Sequence, residues 1–234
     1  MTETQGTVLI TGTSSGFGAH VAQAFARAGY AVVVQGRDEA RLRAVQDGIL
    51  KKGKGRCSMV IADLTTEDGQ DAVRAALRRE HVGIVVNNAA INPELQRGAA
   101  ALDVGDRSAI IATNTTAAIA LCYAAFEHFT AGNGGTIVNI NSVAGLRGSS
   151  HEPLYAASKF GLRGFSESVK EKWLQRGVKM IDVYAGALAA GMSSARPDVK
   201  DLIDPQELAV LLVGLCATKS FFVKELNVRR TTIT

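Results

Sequence analysis

The chain predicts an α/β fold, a doubly wound parallel sheet of about seven strands with helices on both faces. Three observations predict it. Strand-like and helix-like segments alternate from one end of the 234 residues to the other. Several strand-like runs are continuous and β-branched, as in Val32-Val33-Val34 and Ile84-Val85-Val86, the pattern of strands covered on both faces. The first run also closes on a glycine-rich turn, residues 11–18 (TGTSSGFG), that opens an amphipathic helix. Helical crossovers between parallel strands complete the picture.

The strands are expected at 7–11, 31–36, 57–63, 82–87, 136–141, 179–184 and 221–228. Between them, Val21, Phe25 and Ala28 share one helical face, as do Leu42, Val45 and Ile49. A long helix over about 104–129 should turn Ile110, Ala117, Leu121, Ala125 and Phe129 inward. Another should follow Tyr155 to about Gln175, and a last one should start after Asp204-Pro205, where proline suits a first turn. That last helix carries Leu208, Val210, Leu211, Leu212, Val213 and Leu215 almost all round, which predicts burial on all sides and hence a subunit contact.

Composition narrows the class. Hydrophobic residues at 47% and charged residues at 21% fit one globular domain spanning 1–234, with no room for a second of ordinary size. No run reads as a transmembrane span, and the start (MTETQGT) lacks a basic-then-apolar leader, so the expected address is cytoplasmic. Cys57, Cys122 and Cys216 are scattered and odd in number, which argues against a disulfide framework or a zinc site. Cys122 and Cys216 sit among apolar neighbours and read as core. No spacing of His20, His81, His128 and His151 suits a metal. The net charge of +4 is concentrated in residues 37–56, seven basic against three acidic. Without interleaved aromatics or a DNA-reading motif, this excludes a nucleic-acid partner. It fits either a solvated helix rim or a positive field around a phosphorylated ligand.

The glycine spacing of the first turn lets backbone approach a diphosphate, with its charge at a helix N-terminus. Gly12 and Gly16 allow the turn and Gly18 close packing of helix on sheet, while Ser14 and Ser15 offer hydroxyls. Phe17 completes the loop. The second strand ends Gln35-Gly36-Arg37. An acid there would hydrogen-bond a free ribose hydroxyl and repel a 2′-phosphate. Arg37 instead offers a bidentate, charge-assisted contact to phosphate, so NADP(H) is favoured over NAD(H).

Further on come Asp63-Leu64, Asn87-Asn88-Ala89-Ala90, Asn114, Ser142 thirteen residues before Tyr155, and Lys159 four after it. Together with the turn, these resemble the short-chain dehydrogenase/reductase family over nearly the whole chain. The resemblance implies a Rossmann-type fold and a ketone/secondary-alcohol oxidoreductase. Asp63 and Leu64 would meet adenine, and Asn88, Ala89 and Ala90 would line the ribose side. Alanine at position 90, where the family has glycine, is strained only if its φ is positive. Tyr155 would be the acid of reduction and base of oxidation, its pKa lowered by Lys159, which would also hold the nicotinamide ribose. Ser142 would polarise the carbonyl oxygen. Asn114 would position water in a proton path to Lys159.

The pattern breaks once. Where the family has Pro-Gly and then a threonine, this chain reads Tyr184-Ala185-Gly186-Ala187-Leu188-Ala189-Ala190. The threonine hydroxyl is gone, leaving Gly186 and a backbone N–H near Leu188 to meet the carboxamide, helped by Ser193 or Ser194. Residues 187–204 form a short, alanine-rich lid, which suggests an open pocket for a bulky or carrier-bound carbonyl or alcohol. The homo-oligomer expected is a dimer or tetramer. The altered segment leaves a second reading standing, a weakly catalytic or regulatory NADP-binding scaffold on the same fold, and a third, dehydration or epimerisation.

Overall fold

The computed structural model describes residues 5–51, 56–194 and 196–231. Lys52 and Lys54 of the basic stretch lie outside the described residues. Seven strands, β1 (Thr7–Ile10), β2 (Ala31–Gly36), β3 (Cys57–Ile61), β4 (Ile84–Asn87), β5 (Gly135–Ser142), β6 (Val178–Ala185) and β7 (Glu225–Val228), form one sheet. Their order is β3-β2-β1-β4-β5-β6-β7 and every pairing is parallel. The chain winds outward from β1 to β3, then returns to β4 on the other side of β1. The carboxyl ends of β1 and β4 therefore flank the point where the winding reverses, the place such sheets leave a crevice.

Period-two alternation explains the unbroken apolar runs. Val8, Ile10, Val32 and Val34 face a layer formed by α1 (Gly16–Arg27), α2 (Glu39–Lys51) and α8 (Pro205–Ala217), where Val21, Phe25, Leu42, Leu208 and Leu212 are buried. Leu9, Val33 and Val85 face the opposite layer of α3 (Glu67–Arg79), α6 (Ala118–Thr130) and α7 (Pro153–Leu174), closed by Val73, Leu121, Phe129 and Trp173. Two helices of the connection, α4 (Glu94–Arg97) and α5 (Val104–Ile111), lie between β4 and α6.

Three sequence expectations need amendment. The long helix is continuous from Val104 to Thr130, with Ile110, Ala117, Leu121, Ala125 and Phe129 buried as expected, but Ala112–Ala117 form a π-helical turn between α5 and α6. Such turns often mark functional positions, and this one carries Asn114. By length and hydropathy this same helix would suffice to cross a membrane, contrary to the reading that no run would. Here its apolar stripe packs into the core of the domain. Second, α8 is not buried all round. Leu208, Ala209 and Leu212 are buried, whereas Val210 and Leu211 are exposed, because a single chain supplies α1 as cover on the inner side only. Third, the seventh strand is half the expected length. Phe221 is exposed, and bonding to β6 begins at Lys224, whose carbonyl accepts from Asp182 N–H at 3.1 Å.

A polar network crosses the second layer at the sheet. Lys170 Nζ lies 2.5 Å from Asp182 Oδ2 and 3.0 Å from Glu225 Oε1. Asp182 Oδ1 accepts from Asn139 Nδ2 and from Ser166 Oγ, each at 3.0 Å. Asn139 Oδ1 in turn accepts from Asn87 Nδ2 at 3.2 Å. Asp182 is fully buried and Lys170 nearly so. Burial pushes the Asp182 carboxyl above its usual range, and Lys170 opposes that rise.

Candidate active site

A cleft of about 1200 Å³ opens at the reversal of winding. One wall is the glycine-rich turn. Gly12 and Gly16 have φ of +67° and +64°, the left-handed region that glycine enters without penalty. A Cβ on Gly12 would lie 2.7 Å from the Ala89 Cα, so the turn packs directly against the segment after β4. Gly18 allows a close approach too, although to the turn and not to the sheet: its Cβ would meet Gly12 O at 2.5 Å and Asn88 Nδ2 at 2.6 Å. The Asn88 amide fixes both segments, donating to Thr11 O at 2.8 Å and Gly12 O at 3.2 Å. Thr11 Oγ1 accepts from the Asn88 and Ala89 N–H groups at 3.0 Å. Gln35 closes the turn from below, its Oε1 accepting from Gly12 N–H and its Nε2 donating to Ala62 O.

The N-terminus of α1 differs from those of α3, α5 and α8. Side chains of Thr66, Asp103 and Asp204 cap α3, α5 and α8. Ser15, at the cap of α1, makes no such bond, and no acid occupies the first turn. The N–H groups of that turn thus face the cleft beside Ser14, Ser15, Gly16 and Phe17, a ready seat for an anion. These features fit a dinucleotide diphosphate.

Arg37, Asp63, Leu64 and Arg41 line the cleft where it passes the ends of β2 and β3. Arg37 Nη1 pairs with Asp63 Oδ2 at 3.4 Å, both largely solvated. Hydrogen bonds from Thr65, and Arg37 beside it, hold the Asp63 carboxyl below its usual value against a partial burial that opposes them. Ala90 lines the cleft without backbone strain, since His81 is the one non-glycine residue with positive φ among the described residues.

At the other end, β5 delivers Ser142 and α7 delivers Tyr155 and Lys159 to the same cleft. The i, i+4 spacing puts the last two on one face of α7, with Lys159 Nζ 5.7 Å from the centre of the Tyr155 ring. Ser142 Oγ lies beside the Tyr155 phenol and accepts from Ala144 N–H at 3.1 Å. The lowering of the tyrosine pKa expected from Lys159 is not met. Burial, reinforced by the charge of Glu152, pushes the phenol of Tyr155 up, and only the neighbouring Ser142 hydroxyl pulls it down. Lys159 Nζ donates to Ile140 O at 2.9 Å, and burial brings its pKa down to about 8. An ammonium has three donors, so two remain for other partners.

Asn114 does not line the cleft. Its side chain is spent on the segment after β4: Oδ1 accepts from Ile91 N–H and Nδ2 donates to Ile91 O, each at 2.8 Å, and to Ser158 Oγ. Gly186 and Leu188 do line it. The Gly186 N–H is taken by Val228 O, whereas the Leu188 N–H has no partner among the described residues. Ser194 donates to Gly191 O, leaving Ser193 as the cleft hydroxyl of this stretch with no such bond. The lid is tied at its base, where Leu188 bridges Ile203, and Gly191 comes against Gly16.

Three polar residues at this end had no place in the sequence reading. Asn92 Nδ2 donates to Glu152 Oε2 at 2.5 Å, and Glu94 accepts from the N–H groups of Leu154 and Tyr155. Asn92 and Glu152 line the cleft. The partners are 60 or 61 residues apart, so no local spacing announces them.

Comparison with known proteins agrees with this geometry. A family model described as short chain dehydrogenase matches residues 6–200. A 3-oxoacyl-(acyl-carrier-protein) reductase of Escherichia coli K12 is 31% identical over 192 residues, 81% of this chain and 76% of that protein. A metagenomic short-chain oxidoreductase solved in complex with NADP superimposes with a TM-score of 0.84 at 28% identity, covering 98% of this chain and 99% of the other. A 3-ketoacyl-(acyl-carrier-protein) reductase from Brucella melitensis, complexed with NADH, gives 0.84 at 25% identity over 96% and 97%. With its parallel seven-stranded sheet, its glycine turn at the winding reversal and these matches, the chain belongs to the short-chain dehydrogenase family of oxidoreductases.

Proposed function

We propose that the protein is an NADP(H)-dependent ketoreductase, interconverting a ketone and a secondary alcohol with Tyr155 as acid and base. The observation that carries this is the convergence of the Tyr155 and Ser142 hydroxyls and Lys159 on the cleft whose far end holds the uncapped helix α1. When bound, the nicotinamide supplies or receives the hydride at the carbonyl carbon. The protein's own groups do the rest. Ser142 Oγ, steadied by the Ala144 N–H, donates to the carbonyl oxygen and draws charge toward it. Tyr155 gives its proton to that oxygen in reduction and recovers it in oxidation. A phenol is protonated at neutral pH, and burial holds Tyr155 in that form, so it enters a reduction with its proton in place.

Lys159 is fixed by Ile140 O with two donors free, one for the nicotinamide ribose and one to relay protons. We assign Asn114 a positioning role on the Ile91 segment, since its amide is fully engaged there. The Leu188 N–H would meet a carboxamide, Asp63 and Leu64 the adenine, and Arg37 with the α1 N-terminus the phosphates, a reading supported by their lining the same cleft. Arg37 in place of an acid supports NADP(H), as does the NADP bound by one structural relative, while another holds NADH. The acyl-carrier relatives support a carrier-bound 3-oxoacyl substrate. The uncovered Val210, Leu211 and Phe221 support a homo-oligomer contact at α8.

The test is NADPH consumption against a panel of ketones and 3-oxoacyl thioesters. Tyr155→Phe is expected to lower kcat by about a hundredfold or more, the usual worth of a positioned acid. Activity that survives loss of the phenol oxygen overturns the assignment, and a wild type that binds NADPH without turnover favours the scaffold reading.

A further inference from the structure

The segment between β4 and α5 holds a second set of groups aimed at α7. Glu94 opens α4 and is 4% exposed, although it carries a carboxyl. Its two oxygens accept from the backbone N–H groups at the start of α7: Oε1 from Leu154 at 3.2 Å, Oε2 from Tyr155 at 2.7 Å. The cap position of α7, Glu152, offers no side-chain bond to its own helix, and Pro153 has no N–H to satisfy. The orphan donors of the first turn are therefore met from 60 residues away, by a negative charge at the positive end of a 22-residue helix. Next to Glu94, Asn92 donates to Glu152 Oε2 at 2.5 Å. Three hydrogen bonds from two side chains thus clip the segment after β4 to the start of α7.

We propose that Glu94 is a positioning residue for the proton donor, resting on the reading of Tyr155 as acid and base. The carboxyl holds the main chain of Tyr155 itself, so it fixes where the phenol sits relative to Ala89 and Ala90, which line the cofactor half of the cleft four and five residues earlier. A reacting geometry displaced by about 1 Å loses on the order of a hundredfold in rate. Glu94 touches neither the glycine turn nor Arg37, so its removal acts on the reaction and not on the grip of the cofactor.

The experiment compares Glu94→Ala and Glu94→Gln with wild type, using NADPH and ethyl acetoacetate as the probe ketone. Glu94→Ala is expected to lower kcat by about ten- to a hundredfold, with the NADPH dissociation constant, read by fluorescence, within about twofold. Glu94→Gln keeps an acceptor oxygen and should recover the larger part of kcat. If the alanine variant does not fold, amide exchange at Leu154 and Tyr155 in Glu94→Gln carries the test: faster exchange at one of them supports the proposal and unchanged exchange at both overturns it. Unchanged kcat per folded site in Glu94→Ala, or a loss of NADPH affinity parallel to the loss of kcat, overturns the proposal. Wild type with its Tyr155→Phe control decides the reductase reading separately. Should wild type turn over no ketone, amide hydrogen exchange at Leu154 and Tyr155 still decides the clamp: faster exchange in Glu94→Ala supports it and unchanged exchange overturns it.

Discussion

Replacing Lys170 by methionine isolates the buried ion pair. Methionine keeps most of the volume and removes the cation. In wild type the ammonium lies 2.5 Å from Asp182 Oδ2, and Asp182 has no solvent exposure. Asn139 and Ser166 satisfy only Oδ1, so the variant leaves Oδ2 without a donor in the interior. Removing one partner of such a pair costs about 3–5 kcal/mol, chiefly as uncompensated buried charge. Glu225 loses its contact too, but it is well solvated and adds at most about 1 kcal/mol. At roughly 2–4 °C per kcal/mol for a chain of this size, the midpoint of thermal unfolding should fall by about 6–20 °C.

Two controls separate charge from shape. Adding Asp182→Asn to Lys170→Met removes the stranded charge while keeping an oxygen for Asn139 and Ser166, and should restore roughly half of the loss. Acidification should act in the same direction. Burial already raises the Asp182 pKa, and without Lys170 it rises further, so the folded variant binds a proton that the unfolded chain does not. Its deficit against wild type should therefore shrink as pH falls from 7 towards 5. Urea and thermal unfolding at fixed protein concentration measure all three. A Lys170→Met variant within about 1 kcal/mol of wild type, or a deficit that neither control reduces, refutes the reasoning.

Two further variants probe the cleft. Arg37→Ala removes one charge-assisted contact from a solvated side chain, worth about 1–2 kcal/mol, so NADPH should bind roughly 5- to 30-fold more weakly with NADH nearly unchanged. Titration of both nucleotides checks it, and an unaltered ratio of affinities counts against NADP(H) recognition through Arg37. Lys159→Met should be inactive yet melt higher than wild type at pH 7, because it relieves a buried charge for the loss of one hydrogen bond. With the folded pKa at about 8 and the ordinary lysine value at 10.5, the unfolded chain binds the extra proton between them. Wild-type stability thus rises with pH across that window, and the advantage of Lys159→Met should narrow there. Scanning fluorimetry from pH 7 to about 10 reads this window, and a constant gap sinks the idea.

Local pattern carried most of the architecture. Val32-Val33-Val34 announced a strand covered twice, and the spacing of Val21 and Phe25 gave the buried face of α1, because both signals reside within a few residues. The cleft residues Ser142, Tyr155 and Lys159 were legible because their order and spacing resemble the family's pattern. What escaped depends on distance along the chain. Glu94 meets the start of α7 only after folding, and Lys170, in an otherwise amphipathic helix, gives no sign that Asp182 waits in the middle of β6. The π-helical turn at Ala112–Ala117 leaves the apolar spacing intact while widening the coil, so periodicity passes over it. Phe221 and Phe222 read as strand by type, yet bonding to β6 begins only at Lys224 and the paired strand at Glu225. The electrostatics of Tyr155 also needed three dimensions, since burial and the charge of Glu152 act together on it in the folded chain.

The bridge at the foot of the lid has a practical corollary. The backbone of Ile203 donates to Ala187 O at 3.1 Å and accepts from Ala189 N–H at 2.9 Å, so both stems of the loop are stapled to each other before the tip begins. Whatever sequence fills the arc between them inherits fixed anchor points and a closure cost already met. The arc is in that sense an interchangeable cartridge. Grafting a different one onto the same stems tests whether this arc selects the substrate, since Ser142 on β5 and Tyr155 and Lys159 on α7 stay where they are.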